Sequence, residues 1–557
     1  MEVFMANISP EEALKRIRAQ EIESLARRQA ALHGLPYIDL FSAPVREDAL
    51  RTLSEEESRR ASLVVFAKDK SGFRLAAIDP ETPSAQILIH ELQKRAPVEI
   101  FIASPGGIRK FLDAYRFLPP AREEITGTVH VPETVAAQYR KSGNAASLFA
   151  EKLQARGLEI GEKSAWLLAG ATILDASDIH IEPEKENVVV RLRLDGILWP
   201  FATLQNETYQ KLRDRLKLVA GMKLNVRAKP QDGRFSIVLP GEEPIEVRAS
   251  TVPGAYGENV VLRILNPRII QLSLENLGLR KDDLAIIEAE LRKPNGAIVV
   301  TGPTGSGKTT TLYAFLRKVN TEAIKIITIE DPIEYHIPGV EQTQVEETKG
   351  YTFAQGLVAS LRQDPDVILV GEIRDLETAQ TAMHAALTGH LVFSTLHTND
   401  AAGTIPRLID LGVKPVIIAP AINIAVAQRL LRRLCPRCSQ QVVLDEALLK
   451  TLSRHLEGLP RRVKDAPRLH VGTKIKKASV AGCANCQGRG YKGRVGIFEL
   501  FLVGPEMETL IVQSPTEEDV RHLAKKLGMV TMVQDGILKM LEGTTDLEEL
   551  ERTVGAL

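Results

Sequence analysis

The hydrophobic pattern changes period several times along the chain. From Pro10 to about Leu32, apolar residues including Leu14, Ile17, Ile22 and Leu25 recur at helical spacing within a charged run. Ser9-Pro10-Glu11-Glu12 has the form of a capping box with proline at the first helical position, and Gly34-Leu35-Pro36 stops the helix. Short β-like runs at 63–66, 73–78 and 98–103 alternate with helical ones, so residues 1–118 are expected to form a small α/β domain. Pro119, Pro120, Pro132 and their polar neighbours predict a linker over 119–144.

A helix opens near Ala145, and residues 188–194 alternate as a half-exposed strand that turns at Asp195-Gly196. A basic helix is expected over 211–224, with further strands at 231–235, 245–250 and 256–263. Two or three hairpins packed on helices, a small α+β domain, are thus expected over 145–268. Beyond Pro267 the pattern becomes helix–strand alternation, with continuous apolar runs at 297–300, 325–329, 367–370 and 391–395. Such runs mark a parallel sheet covered on both faces, and this core is expected to extend over 269–430. A cysteine-bearing region over 431–500 and a helical one over 501–557, broken at Gly528 and Gly543, complete the chain. There is no repeat period.

Composition narrows the reading only slightly. At 557 residues the chain needs several cores, roughly three to five domains. Lys+Arg and Asp+Glu both number 71, which gives no bulk attraction to nucleic acid or to an acidic membrane. Residues 1–10 lack the basic start and apolar core of a secretory signal. The most apolar stretch, 415–427, is too short to span a bilayer and contains Pro420 and Asn423. A cytoplasmic chain is expected, with any membrane role supplied by a partner. Four cysteines form two C-x-x-C pairs, Cys435/Cys438 and Cys483/Cys486, separated by 44 residues. Four thiolates suit a closed, structural Zn²⁺ site, and Gly488, Gly490 and Gly493 suit the tight turns of a zinc knuckle. A redox dithiol or idle thiols are the alternatives.

The strongest chemical signal is Gly302-Pro303-Thr304-Gly305-Ser306-Gly307-Lys308-Thr309, followed by Thr310, which matches the phosphate-binding P-loop at every fixed position. The glycines let backbone N–H groups turn inward on an anion, Lys308 can reach the β- and γ-phosphates, and the Thr309 hydroxyl can sit on Mg²⁺. Ile368-Leu369-Val370-Gly371-Glu372 reads as a buried strand with a carboxylate at its tip, and Glu372 is the candidate for polarising water. Most Walker B strands place Asp before that Glu. Gly371 stands there in this chain, which leaves Mg²⁺ to Thr309 and water-mediated contacts. Glu330, Asp331 and Glu334 crowd another strand tip, where a cation or an arginine would relieve their repulsion. A solvated acidic loop is an equally common reading. His390 and His397 flank the last of these strands as candidate γ-phosphate sensors.

In this order the motifs resemble the secretion-type traffic ATPases, specifically the type II secretion ATPase and the type IV pilus assembly (extension) ATPase. The resemblance rests on the P-loop, the acidic box ITIEDPIEY (327–335), the atypical Walker B ILVGEIRD (368–375) and the histidine box TGHLVFSTLHTND (388–400), together with SDIHIEP (177–183), QDGR (231–234) and the two C-x-x-C pairs. It covers about residues 145–557. It implies an α/β multidomain fold: a RecA-like P-loop NTPase core, a preceding small α+β, PAS-like domain, an N-terminal α/β domain and a tetracysteine zinc region. It implies ATP and Mg²⁺ as ligands, a homohexamer, and an ATP site between the small domain and the core. Arginines matching Arg234, Arg248 and Arg263 would reach the phosphates, and Glu330, Glu334, Glu372 and His397 would stand among the catalytic groups.

The resemblance further implies work at the cytoplasmic face of the inner membrane, driving pilus or pseudopilus assembly with an inner-membrane platform protein. Residues 1–118 would dock on a membrane-anchored partner. The Arg-Leu-Gly-led leucine repeat by which some relatives bind cyclic di-GMP is not found between Pro10 and Leu40. A nucleic-acid translocase, of the DNA-uptake or conjugation type, is the alternative. It would call for a basic stripe and stacking aromatics. Aromatics are 5% of the chain, and the basic patch at Arg429, Arg432, Arg433 and Arg437 is local, so direct nucleic-acid binding is not expected. A scaffold that binds ATP without turnover is a third reading, against which Glu372 argues.

Overall fold

The computed structural model describes residues 10–69, 72–94, 96–117, 127–142, 144–155, 157–266, 272–464 and 469–557. Ser9 of the capping box, Pro119, Pro120 and the expected boundary at Pro267 lie outside the described residues, as do the side chains of Leu14 and Ile17. The chain divides into two units, Met1–Glu124 and Ile125–Leu557.

In the first unit the helix Pro10–His33 ends at Gly34, whose φ of +64° places it in the left-handed region that favours glycine. Its packed face is lined by Ala26 and Ala30, one turn apart, while Ile22 and Leu25 are exposed. The expected apolar face is therefore corrected, because small side chains let the helix approach closely. Strands β1 (Leu63–Asp69), β2 (Gly72–Ala77) and β3 (Val98–Ile102) form one sheet in that order. Alternate residues serve two cores: Leu63 and Val65 pack with Leu88, and Val64 and Phe66 pack with Ile108 and Phe111. This is the α/β arrangement expected from the mixed periodicity.

The second unit holds two seven-stranded sheets. The first comprises β4 (Thr128–His130), β5 (Asp178–Pro183), β6 (Val188–Leu194), β7 (Ile197–Leu204), β8 (Gln231–Val238), β9 (Ile245–Gly254) and β10 (Gly257–Leu265), in the order β4-β8-β9-β10-β5-β6-β7. The linker expected over 119–144 is corrected here. β4 pairs in parallel with β8, and the helix Glu133–Lys141 buries Val135, Ala136 and Tyr139 in the same core. Its proline-rich surroundings had masked this apolar pattern. The basic helix lies at Asn206–Val219, earlier than expected, and Lys217 is buried, its Nζ donating to Glu258 Oε1 at 2.6 Å.

The remaining strands are β11 (Gly296–Thr301), β12 (Ile326–Glu330), β13 (Glu341–Gln344), β14 (Val367–Val370), β15 (Leu391–Leu396), β16 (Ile422–Leu434), β17 (Gln440–Val443), β18 (Lys474–Lys477) and β19 (Tyr491–Leu502). The core sheet runs β13-β12-β14-β15-β11-β16-β19, parallel except for β19, which is antiparallel to β16. Every residue of β11, β12, β14 and β15 is buried. Each such Val, Ile or Leu contributes about 1.5–3 kcal/mol by leaving water, which is why these strands read as unbroken apolar runs.

The boundaries expected at 430/431 and 500/501 are corrected as well. β16 continues to Leu434, and β19 begins at Tyr491, where the two strands pair. The cysteine region is thus inserted between two adjacent strands of the core sheet. The four helices from Pro505 to Val554 pack on that sheet through Met507, Val520, Ile537 and Leu550, with Gly528 and Gly543 at positive φ as the breaks. Among the described residues no helix is long and apolar enough to cross a membrane.

Candidate nucleotide site and metal centre

β11 delivers the chain into the P-loop, and the helix Lys308–Val319 leaves it. Gly302, Gly305 and Gly307 have φ of +146°, +80° and +90°. At Gly302 a Cβ would come within 2.5 Å of the Gln428 carbonyl oxygen, so the cradle closes only around glycine. Lys308 Nζ donates to the Gly302 and Pro303 carbonyl oxygens at 2.7 and 3.2 Å. Burial holds its pKa below the usual lysine value, while the charge of Glu372 works in the other direction. Among the described residues Ser306 Oγ is buried without a hydrogen-bond partner. A glycine loop at the amino end of a helix, with an unsatisfied hydroxyl and a lysine folded back on it, fits a polyphosphate and its cation.

The P-loop forms one wall of a cavity of about 430 Å³, with Glu330, Glu334, Glu372, Arg374, His397 and Arg494 on the others. Glu372 follows the end of β14, and its side chain is only 12% exposed. Its Oε2 lies 2.6 Å from Arg374 Nε and 3.4 Å from His397 Nε2. The structure also gives a reason for Gly371. A Cβ there would meet the Ile329 carbonyl oxygen at 3.2 Å and Phe353 at 3.3 Å, so an aspartate would crowd β12.

Glu330, at the tip of β12, is 4% exposed. One oxygen accepts from Thr328 Oγ1 at 2.6 Å and Gln342 Nε2 at 3.0 Å, and the other accepts from the Tyr313 hydroxyl. Its charge is therefore already answered by hydroxyl and amide donors, without an arginine. Glu334 instead meets Arg248, with Oε2 3.3 Å from Nη1, and Arg248 Nη2 donates to the Ile333 carbonyl oxygen at 2.5 Å.

Arg248 belongs to a row that cannot be read from contiguous sequence. Across β8, β9, β10, β5 and β6, the residues Arg234, Arg248, Arg263, Asp178 and Arg193 stand in direct cross-strand register. Arg263 Nε and Arg193 Nε lie 3.3 and 3.2 Å from the two oxygens of Asp178. Arg234, Arg248 and Arg263 line a second cavity of about 700 Å³, with Pro332, Ile333 and His336 of the acidic loop on its other side. Of the residues expected at the site, the structure thus gathers the P-loop, Glu330, Glu334, Glu372 and His397 around one cavity. It joins Arg248 to that cavity through Glu334 and places Arg234 in the adjoining one.

His390 is corrected. It precedes β15 at the amino end of the sheet, where its carbonyl accepts from Gly296 N and its Nδ1 lies 3.0 Å from the Ala385 carbonyl oxygen. The length of the strand separates it from the P-loop, so the two histidines do not form a pair. Sequence reasoning missed Arg374, which lies within the quoted Walker B run, and Arg494, which only the return of β19 beside β16 brings to the cavity.

The four cysteine sulfurs all lie within 4.8 Å of one another. Cys435 Sγ is 3.8 Å from Cys483 Sγ, and Cys438 Sγ is 3.7 Å from Cys486 Sγ. A tetrahedron of Zn–S bonds near 2.3 Å has edges of about 3.8 Å, so the set fits Zn²⁺. Backbone N–H groups of Cys483 and Gly490 point at Cys486 Sγ at 3.2 and 3.3 Å, as donors stabilising a thiolate do. Gly488, Gly490 and Gly493 have φ of +77°, +74° and +80°, the turns expected of the knuckle.

Comparison with known proteins agrees with this architecture. A family described as "Type II/IV secretion system protein" matches residues 161–552, and one described as "MshEN domain" matches residues 33–122. The chain is 38% identical over 544 residues to the "Type IV pilus assembly ATPase PilB" of Thermus thermophilus, covering 96% of this chain and 58% of that protein. The chain thus spans a little over half of that relative's length. It is 44% identical over 386 residues to the "Type II secretion system protein E" of Pseudomonas aeruginosa, covering 69% of this chain and 74% of that one. Among solved structures, the Yersinia pseudotuberculosis ATPase DotB shares the fold, with a TM-score of 0.51 and 20% identity over 72% of this chain and 94% of that one. With its RecA-like P-loop core, amino-terminal MshEN domain and tetracysteine centre, the chain belongs to the Type II/IV secretion system protein family.

Proposed function

We propose that this protein hydrolyses ATP to drive assembly of a type IV pilus or a related pseudopilus, working as a homohexamer at the cytoplasmic face of the inner membrane. The observation that carries hydrolysis, beyond nucleotide binding, is Glu372 held by Arg374 and His397 across one cavity from Lys308. In this reading Lys308 and the P-loop N–H groups hold the phosphates, and Thr304, Ser306, Thr309 and Thr310 supply hydroxyls. The Thr309 hydroxyl would hold Mg²⁺, which when bound neutralises charge on the β- and γ-oxygens. Glu372 orients the attacking water, and His397 fixes the Glu372 carboxylate by sharing its Oε2. Glu330, buried on three donors, positions the acidic loop. Glu334 pairs with Arg248 until the arginine turns to the transferring phosphoryl, with Arg234 beside it. Cys435, Cys438, Cys483 and Cys486 hold a structural Zn²⁺.

Similarity to the pilus assembly relative runs through the amino-terminal unit, while similarity to the secretion relative spans a shorter part of the chain. The amino-terminal unit would dock on a membrane-anchored partner, and the hexamer would engage an inner-membrane platform protein. Phosphate release by the purified protein, compared with Lys308→Ala and Glu372→Gln, tests the hydrolysis step. Turnover by Glu372→Gln equal to wild type would overturn the assignment of the water-orienting group.

A further inference from the structure

His397 lies on the loop between β15 and the helix Thr404–Asp410, and that loop is tied to two places at once. One is the P-loop strand. Thr398 N donates to Thr301 Oγ1 at 2.9 Å, and the two threonine hydroxyls lie 2.7 Å apart, immediately before Gly302. The other is the carboxyl-terminal helical region, which reaches the loop by three separate routes. Asp400 Oδ2 accepts from Arg521 Nη2 at 2.5 Å, while Asp400 Oδ1 accepts from Gly403 N at 2.9 Å. Ala401 N donates to Glu499 Oε1 at 3.1 Å, and Glu499 Oε2 accepts from Met532 N at 3.1 Å. Arg429 bridges the carbonyl oxygens of Asn399 and Thr553.

The Arg521 contact is the one made by a side chain of the helix Glu517–Lys526. The same guanidinium also holds Glu517 and Glu518 of its own helix, so it is already oriented when it meets Asp400. Hydrogen bonding to Asp400 is the main cause that raises its pKa. The approach is close. A Cβ on Gly403 would come 3.3 Å from Glu517 Oε2.

We propose that Arg521 is a positioning residue for ATP hydrolysis: acting through Asp400, it sets His397 against Glu372 and thereby makes the carboxyl-terminal helices a control surface for turnover. The proposal rests on the hydrolysis reading above. Arg521 touches no phosphate, so its loss moves a catalytic group without removing a ligand to ATP. Misplacement of a reacting group by about 1 Å costs up to about 10²-fold in rate. A displacement of the helix Glu517–Lys526 is carried to the same group by Arg521 and Asp400.

The test is steady-state phosphate release and fluorescent-ATP binding by the full-length protein. Arg521→Ala is expected to lower kcat about ten- to hundredfold with the ATP dissociation constant changed by less than about twofold. Arg521→Lys is expected to recover most of the loss. Asp400→Asn, which keeps an acceptor for Gly403 N but removes the charge, is expected to reproduce it and guards against a misfolded alanine variant. In a His397→Ala background, Arg521→Ala is expected to cost nothing further, because the group it positions is gone. An equal loss in both backgrounds, or unchanged kcat in both Arg521→Ala and Asp400→Asn, overturns the proposal. If the wild type itself shows no Lys308-dependent phosphate release, the hydrolysis reading falls and the proposal falls with it.

Discussion

The two seven-stranded sheets of the larger unit place their candidate site residues on different parts of a strand. The core sheet works from its carboxyl ends, where Gly302–Thr309, Glu330, Glu372 and His397 leave buried strands one after another. The small sheet works from a face, where Arg234, Arg248 and Arg263 stand side by side on three neighbouring strands. Strand tips gather acids and hydroxyls around one lysine, and the sheet face gathers arginines. Adjacent strands are about 4.8 Å apart, so three guanidinium-bearing positions in register repel one another unless something anionic faces them. Asp178 answers Arg263, and Glu334 answers Arg248. Among the described residues no hydrogen bond or ion pair engages the Arg234 guanidinium, which lines the second cavity, while its backbone N donates to the Ala220 carbonyl oxygen. An acidic half-site and a cationic half-site are complementary, and in the function proposed above the γ-phosphoryl would be the group that meets both.

The sharpest way to break this division is to remove the lysine that only the acidic half contains. Lys308→Ala should abolish ATP binding, measured by a fluorescent analogue, because no second cation lies within the loop. Glu372→Gln should instead retain binding and lower phosphate release by about 10²–10⁴-fold, the usual size of a general-base contribution. A loss of binding in Glu372→Gln would show that the carboxylate organises the site and does not act on water.

The cationic half is tested next. Arg248→Lys and Arg234→Lys keep the charge but lose the planar fork that suits three equatorial oxygens. Turnover should fall toward the 10³-fold loss associated with a missing arginine finger, with ATP binding retained. If Arg248→Lys alone is affected, the Arg234 position is a neighbour of the site and the row acts through one member.

The comparison also explains how much could be read in advance. The P-loop turn, the four central strands and the place of Glu372 just past β14 were legible because each is a contiguous pattern written within eight residues. The arginine row was legible only as separate candidates, since register across hairpins, and not spacing, aligns Arg234, Arg248 and Arg263. β16 and β19 were missed for a related reason. Residues 415–427 read as one apolar stretch, whereas the chain changes from the helix Pro415–Ala421 to a strand at Ile422. The pairing partner of that strand lies beyond the cysteine insertion. His390 was misread because a motif gives sequence proximity to a strand but not the end at which a residue sits. The helix at 133–141 was hidden by the prolines around it.

The cysteine centre gives a smaller effect on chemistry and a definite one on structure. Purified protein should carry about one Zn²⁺ per chain, and chelation should release it with unfolding of the insertion between β16 and β19. Phosphate release should fall only as far as β16 and β19, which carry Leu430 and Arg494 to the cavity, lose their order. Protein purified without chelators that contains no zinc and four titratable thiols would refute the metal assignment.

The smallest expected effect separates the two acids of the core sheet. Glu330 ends a buried strand and Glu372 stands two residues past another, yet Glu330 has both oxygens engaged by neutral donors, while Glu372 meets Arg374 and His397. Tyr313→Phe removes one donor to Glu330 and preserves the ring that packs edge-on against Tyr335. Two donors, Thr328 and Gln342, remain on the other oxygen, so the carboxylate stays in place and one lone pair loses its partner. A hydrogen bond to a charged group is worth about 1.5–3 kcal/mol, and retention of the other donors puts the cost at the lower end. Turnover should drop by about tenfold or less, with stability reduced by a similar free energy. Glu330→Gln should cost more, because its one amide oxygen can serve Thr328 and Gln342 only by turning the NH₂ toward the Tyr313 hydroxyl, and the charge that strengthened all three hydrogen bonds is lost. If Tyr313→Phe instead stops phosphate release as completely as Glu372→Gln while the protein stays folded, Glu330 acts on the reacting groups directly. The acidic half-site would then contain two catalytic carboxylates where the proposal above has one.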